Sequence, residues 1–309
     1  MLDLGIVIVN YNTRDLLRDC LQSLPRACCG LACRTIVVDN NSSDGSVDMV
    51  RDAFPDVVTL EPGRNGGYAF ANNLGLRELG FRVGYNAVEG EAPPRYALLL
   101  NPDTVVPADG LTRMVAFMDA NPDVGVVGVK LVRQDGSFDR ACRRSFPTPE
   151  VSFYRLTGLS RLFPHSRRFG RYNLSYLSVD EQADVDAVVG AFMLMRGEAL
   201  QEAGLLDEAF FMYGEDLDLC YRIKALGWRV VYNPSVVVLH VKGASSRQAS
   251  RRSINAFYDA MRIFHHKHYR ARNVFLVNWL VDLGIGLMRT IALAGDRLRP
   301  HGRKRVASA

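Results

Sequence analysis

In the first third of this 309-residue chain, carboxylates, asparagines and glycines recur in short clusters, each directly after a short apolar run. Asn10-Tyr11-Asn12 follows the first run. Asp39-Asn40-Asn41-Ser42-Ser43-Asp44-Gly45-Ser46 follows the second, Gly63-Arg64-Asn65-Gly66-Gly67 the third, and Asn101-Pro102-Asp103 the fourth. These residue types suit a nucleotide. A ring such as Tyr11 can stack on a base, and the Asp39 carboxylate can accept the imide N–H of uracil or thymine, or ribose hydroxyls. Gly66 and Gly67 allow close backbone approach at a helix start, where amides favour phosphate. Asp103 offers hard oxygen ligands to Mg²⁺ or Mn²⁺ bridging two phosphates. Turn formation and helix capping use the same residues and account for each cluster taken singly. They account less well for an aromatic after Asn10 and for carboxylates ending two of the runs.

A second group lies further on. Gly214-Glu215-Asp216-Leu217-Asp218 opens a helical pattern. Acids there complement the helix dipole without any function, yet a carboxylate at a helix start can also take a proton from a hydroxyl. Phe210-Phe211-Met212-Tyr213 would shape a pocket beside it. His240 closes a late strand, before Val241-Lys242-Gly243-Ala244-Ser245-Ser246, and suits metal or phosphate contact as well as a structural role. No Gly-x-Gly-x-x-Gly follows the first strand, which argues against a dinucleotide-binding domain. The absence of Gly-x-x-x-x-Gly-Lys-Ser/Thr argues against a P-loop.

The elements that must position these residues read as follows. Short Ile/Val-rich runs at 4–10, 34–39, 57–60 and 96–100 are strands, and apolar residues at helical spacing give helices over 13–24, 44–54 and 67–79. Such alternation predicts an α/β fold with a parallel sheet covered on both faces, and ligands outside the carboxyl ends of its strands. Residues 140–171 hold eight arginines against one acid, Glu150, with no clean period, and read as a surface excursion. Strands follow at 184–195, 228–232 and 236–240, and helices at 215–226 and 251–268. There is no internal repeat and no Gly/Ser linker, so one continuous domain with a C-terminal appendage is expected.

Hydrophobic residues make up 48% and charged residues 23% of the chain, as in a folded globular protein. The net charge of +5 conceals a division: residues 1–241 carry −6 and residues 242–309 carry +11. Residues 273–294 are long and apolar enough for a bilayer span, but Asp282 and Arg289 make spanning expensive. With Arg297, Arg299, Arg303, Lys304 and Arg305 following, the segment suits an anionic membrane surface; packing on the body or on a second subunit of a homodimer is the alternative. Arginines interleaved with an apolar helix do not resemble a groove-reading module, which argues against nucleic acid. Six scattered cysteines without a Cys-x-x-Cys pair read as free thiols of a reducing compartment; Cys29 and Cys33 are a weak zinc signal. The N-terminus reads as a strand and not a signal peptide.

Taken in order, Ile6–Asn12, Val37–Ser46, Asn65–Gly75, Leu99–Asp103 and Gly214–Asp218 resemble glycosyltransferase family 2, in its rhamnosyltransferase-like branch. The resemblance runs from about residue 4 to residue 246. It implies a GT-A fold: a mainly parallel central sheet with helices on both faces, here with a C-terminal amphipathic helical appendage. Residues 1–246 would form that domain, with a nucleotide-binding half (1–130) and an acceptor-side half (131–246); residues 247–309 would be a basic helical extension. It further implies a nucleoside-diphosphate sugar donor, with dTDP-L-rhamnose favoured, a Mg²⁺ or Mn²⁺ cofactor, and inversion at the anomeric carbon. Tyr11 and Asp39 would bind base and ribose, and Asn10, Arg64, Asn65, Gly67, Asn72 and Asn101 would line the nucleotide-sugar site. Asp103 would be the metal-binding acid of the family's Asp-x-Asp motif, in which Asn101 replaces the first Asp; His240 would assist. Asp216 would be the base, with Glu215 and Asp218 in support. The Gln-x-x-Arg-Trp motif and multiple membrane spans of processive synthases are missing, which favours transfer of a single sugar. A polyprenyl-diphosphate-linked sugar or a glycan in cell-wall or surface-polysaccharide assembly would be the acceptor. Its diphosphate would meet the arginines of 140–171, at the inner face of the plasma membrane. A non-catalytic nucleotide-sugar-binding or scaffold protein of the same fold is the alternative; intact Asp39, Asp103 and Asp216 speak against it.

Overall fold

The computed structural model describes residues 2–82, 92–241 and 250–297. Strand β1 (Leu4–Asn10) is buried along its whole length, which is why it reads as an unbroken apolar run and not as an alternation. β2 (Cys33–Asp39) and β4 (Tyr96–Leu100) pair with it on either side in parallel, and β3 (Val58–Leu60) continues beyond β2. Helices α1 (Arg14–Ala27), α2 (Ser46–Ala53) and α3 (Tyr68–Glu78) make the crossovers. The register sets Asn10 opposite Asp39, so the polar clusters that end the strands share one sheet edge.

Beyond β4 come β5 (Thr104–Val105), α4 (Gly110–Ala120) and β6 (Val124–Val132), and then α5 (Pro149–Leu156), α6 (Leu159–Leu162), β7 (Ala183–Asp184) and β8 (Phe192–Arg196). The chain continues through α7 (Gly197–Ala203), α8 (Glu215–Ala225), β9 (Arg229–His240), α9 (Ser250–His268) and α10 (Phe275–Arg297). The sheet order is β3-β2-β1-β4-β8-β6-β9-β5, with β7 also paired to β9. Among the described strands β5, β7 and β8 oppose the direction of the other six. The expected mainly parallel α/β sheet is therefore present, with an antiparallel strand inserted between β4 and β6.

Several expectations need correction. The run 184–195 is not one strand: only 183–184 and 192–196 are extended, and residues 185–191 form a loop. The two strands expected at 228–232 and 236–240 are one, β9, whose register against β6 slips between Val129 and Lys130, where Asn233 and then Val237 are the partners. The arginine-rich excursion is anchored in the core and not merely laid on the surface. Arg143, 1% exposed, donates to the carbonyls of Ser178, Leu174 and Leu177 and lies over the rings of Phe138 and Tyr232. The boundary placed at residue 246, the 242–246 segment after His240, and Arg299, Arg303, Lys304 and Arg305 lie outside the described residues.

α9 is fastened to the body through Asp218. That carboxylate, with a fully buried side chain, pairs with Arg222 at 2.8 Å, His268 at 2.7 Å and Lys267 at 2.9 Å. Burial opposes its charge, but His268, Arg222 and Lys267 outweigh that and hold the carboxyl down to about 2. A depressed folded-state value stabilises above the unfolded value near 4 and stops doing so as pH falls through about 2. Asp218→Ala would remove the acceptor shared by Arg222, Lys267 and His268 and cost about 3 kcal/mol. Urea unfolding at pH 7 should show that loss, and it should shrink between pH 4 and pH 2; an unchanged midpoint at pH 7 would overturn the anchoring role.

Candidate active site

The edge formed by β1 and β2 is held by side chains that bond to one another. Asn10, fully buried, donates to Asp39 Oδ1 at 2.8 Å and to Ser42 Oγ at 3.1 Å, and accepts from Thr13 Oγ1 at 2.6 Å. Asp39 Oδ2 accepts the Ser42 amide at 2.7 Å. Asn10 thus orients the Asp39 carboxylate from beneath, while Tyr11 is half-buried at the rim. Asn40, which sequence reading left out of the site, joins this edge to the next cluster: its side chain bonds the carbonyl of Gly67 and the amide of Gly66.

The glycine pair does not leave its amides open for phosphate. Gly67 has φ +98, and a Cβ there would stand 2.4 Å from the Phe211 carbonyl oxygen, which accepts the Tyr68 amide at 2.7 Å. The close approach that requires glycine is made by the protein's own 210–213 segment. Asn65 turns inward to accept the Gly67 amide, and the Arg64 guanidinium lies over Phe70. Asn72 is fully buried; its nitrogen donates to the Tyr68 carbonyl and its oxygen has no partner.

Residues 188–191 link the remaining pieces. Arg144, 4% exposed, donates to the Val188 carbonyl at 3.0 Å and to Asp216 Oδ2 at 2.6 Å. The Gly190 amide donates to the same Asp216 oxygen at 3.1 Å, and its carbonyl accepts the Tyr68 hydroxyl at 2.9 Å. The Ala191 carbonyl accepts the Asn101 amide at 3.0 Å. One short loop therefore ties the end of β4 to α3 and to the start of α8. Burial pushes the Tyr68 hydroxyl strongly up, reinforced by the charges of Glu215, Asp216 and Asp103. Through its backbone the loop joins Asn101 at the end of β4 to Asp216 at the start of α8.

The two acids at the start of α8 differ in kind. Asp216 is balanced by Arg144, and its Oδ1 accepts the Leu217 amide at 2.7 Å. Glu215 is 5% exposed with Oε2 unpartnered, and burial, then the neighbouring Asp216, pushes it up to about 8. At neutral pH it is mostly a neutral acid beside a paired carboxylate. Asp218, one turn on, is wholly engaged in holding α9.

Asp103 meets His240 where β5 pairs with the end of β9. Asp103 Oδ1 is buried without a hydrogen-bond partner, 3.3 Å from His240 Nε2; the other ring nitrogen is 3.3 Å from Asp139. Burial works against an imidazolium there, but Asp103 and then Asp139 outweigh it and raise His240 to about 9. Among the described residues no group of three His, Cys, Asp or Glu side chains takes a metal-binding arrangement. The Asp103 oxygen beside the His240 ring nitrogen suits a divalent ion only if that ion displaces the imidazolium proton, its other positions going to phosphate oxygens and water. Cys29 is exposed, and all six cysteines are free thiols.

The family model described as glycosyltransferase like family 2 matches residues 3–258. The chain belongs to this glycosyltransferase family. It is 28% identical to the N-acetylglucosaminyl-diphospho-decaprenol L-rhamnosyltransferase of Mycobacterium tuberculosis over 261 residues, covering 84% of this chain and 83% of that one. It is 24% identical to the rhamnosyltransferase WbbL of Escherichia coli over 239 residues, covering 76% and 82%. Among solved structures, the mannosyltransferase PcManGT from Pyrobaculum calidifontis, in complex with GDP-Man and Mn²⁺, superimposes with a TM-score of 0.56 at 17% identity, over 97% of this chain and 78% of that one. The S. aureus TarS 1–349 complex with UDP gives 0.55 at 15% identity, over 91% and 69%. The GT-A fold, the rhamnosyltransferase-like branch and the glycosyltransferase assignment made on the motifs all hold.

Glu215 gives a stability prediction. Its folded-state value is raised, so its contribution is complete below about pH 4.5 and is lost as pH rises through about 8. Melting temperature should fall between pH 5 and pH 8.5 in the wild type, and Glu215→Gln should flatten that decline. Parallel curves for the two proteins would show that Glu215 is not buried as a neutral acid.

Proposed function

We propose that this glycosyltransferase moves one sugar, with inversion, from a nucleoside-diphosphate donor to a polyprenyl-diphosphate-linked acceptor. L-rhamnose from dTDP-L-rhamnose is the favoured donor group, and cell-wall or surface-glycan assembly the setting. The observation that carries the chemistry is the 188–191 loop, whose Gly190 amide holds Asp216 and whose Ala191 carbonyl holds the amide of Asn101, two residues before Asp103. Support for the substrates comes from the relatives, one named for a diphospho-decaprenol acceptor and two for rhamnosyl transfer.

In this reading Tyr11 and Asp39 hold base and ribose, Arg64 and Asn101 lie beside the nucleotide sugar, Asn10 fixes Asp39, and Asn65, Gly67 and Asn72 shape the wall behind the site and do not touch the phosphates. Asp103 and His240 would hold the Mg²⁺ or Mn²⁺. Bound there, the ion would neutralise charge on the departing diphosphate. The acceptor hydroxyl attacks the anomeric carbon from the opposite face while Asp216 takes its proton at Oδ1. Oδ2 is unsuited because Arg144 and the Gly190 amide occupy it. Glu215 supports by staying neutral, so that a single negative charge faces the hydroxyl. Asp218 supports only by fixing α8 to α9. Arg167, Arg168 and Arg171 line a cavity of about 290 Å³ with Tyr154 and Glu150, which suits the acceptor's diphosphate. A cytoplasmic protein held peripherally on the inner face of the plasma membrane would meet such an acceptor.

A screen of UDP-, GDP- and dTDP-sugars, read by product mass with Mg²⁺ or Mn²⁺, tests the donor. Asp103→Ala should lower kcat/KM on the order of 1,000-fold, and Asp216→Asn should lower kcat by 10²- to 10⁴-fold, roughly the range for losing a general base. Full transfer by either variant would refute that residue's role. Arg144 acts through Asp216, so Arg144→Met should lower kcat on the order of 100-fold and leave donor KM nearly unchanged, with partial recovery in Arg144→Lys. A change confined to KM would remove the positioning role.

A further inference from the structure

α10 is an amphipathic helix mounted inside out. At 100° per residue, Asn278, Asp282, Ile285 and Arg289 fall on one side, and Leu276, Leu280, Leu283, Leu287 and Ile291 on the opposite side. The polar side is the one that faces the protein. Asn278 meets His265 at 2.9 Å, Asp282 meets His266 at 3.0 Å, and Arg289 donates to Asp259 at 2.8 Å and to Asn255 at 3.0 Å. The leucine side faces outward, each of its five residues more than half exposed, with Phe275 83% and Trp279 50% exposed beside it. A helix serving only the body would be turned the other way, with its polar residues in water.

Charge identifies what covers the stripe. Residues 250–297 hold eight Lys/Arg against three Asp. Arg270 and Arg272 are exposed just before α10 and Arg297 at its end, so both ends of the apolar stripe carry cations. An apolar face with basic ends and an aromatic pair at its margin is the chemistry of an anionic lipid surface.

The manner of attachment follows from α9. Its Ala260, Phe264 and His268 pack on the body: Phe264 against Tyr221 and Phe146, His268 on Tyr221 at 4.1 Å, and Ala260 where a Cβ on Gly214 would come within 3.3 Å. α10 cannot cross a bilayer without breaking its bonds to α9, and α9 cannot follow it without leaving Asp218. We propose that α10 lies flat in the headgroup layer of an anionic membrane, and that α9 is a spacer holding Glu215 and Asp216 at a fixed height above it. Helices pack about 8–10 Å apart, so the carboxylates sit within roughly two helix layers of the lipid. This rests on the reading of the acceptor as lipid-linked, whose sugar would emerge at that height.

The test uses the full chain with vesicles of phosphatidylcholine alone or with 30 mol% (about one lipid in three) phosphatidylglycerol. Wild type should float with the anionic vesicles, float less at high salt, and be released by alkaline carbonate. A variant with Leu280→Ser, Leu283→Ser and Leu287→Ser, in which only exposed side chains change, should keep its melting temperature and lose flotation at least about tenfold. It should transfer to a short water-soluble acceptor at the wild-type rate and to a polyprenyl acceptor in vesicles at a rate reduced on the same scale. Carbonate-resistant attachment would overturn the flat arrangement. Equal flotation of both proteins, or a wild-type dimer in sedimentation that the variant abolishes without vesicle binding, would overturn the membrane surface. No transfer to either acceptor with intact flotation would instead refute the enzymatic reading and leave this surface standing.

Discussion

The ion pair between Arg144 and Asp216 is the constraint to which the rest of the site is fitted. Both side chains are buried, and removing either partner leaves a charge in a medium that cannot solvate it. Such a pair is stable only with its remaining groups bonded, and residues 188–191 provide this: the Val188 carbonyl takes the guanidinium and the Gly190 amide takes the carboxylate. The same four residues have their other groups bonded to Tyr68 and Asn101. The geometry of the α8 carboxylates is thus tied to the end of β4, where Asp103 stands, through backbone atoms that cannot change rotamer.

Within this frame chemically similar acids take different work from different partners. Asp39 is oriented by an asparagine and an amide, Asp216 is balanced by a guanidinium, Glu215 is buried beside it with one oxygen unpartnered, Asp103 faces an imidazole, and Asp218 is shared by Arg222, Lys267 and His268. Residue type could mark all five as candidates. Partners separate them, and partners lie far apart in the chain: Asp218 and His268 are 50 residues apart, and Asp216 and Arg144 are 72.

That separation also explains what could be read in the sequence. The strands through Leu100 were legible because each is a short apolar parallel run followed by turn residues, with β1 and β4 buried throughout, and β1 and β2 in register bring Asn10 and Asp39 together as expected. His240 was recognisable as a strand end. Arg144 was not: in a stretch with eight arginines, nothing local marks the two that turn inward. Val188–Ala191 was hidden for the opposite reason, since an apolar loop buried among polar partners has the composition of a strand. The expectation of two strands at 228–232 and 236–240 failed because the chain carries Pro234 through a slipped register and continues as one strand.

β8 carries a cost that only appears when the chain is considered in time. It fills the gap between β4 and β6, yet it follows β4 by more than ninety residues in sequence. While a ribosome makes that intervening stretch, roughly 5–20 s at ordinary elongation rates, the backbone groups of β4 along that side have no strand to pair with. An open, apolar, parallel edge is a template for wrong partners. Until Phe192–Arg196 emerges, that edge of β4 lacks its native partner, and a pause in translation just before residue 192 would lengthen the exposure.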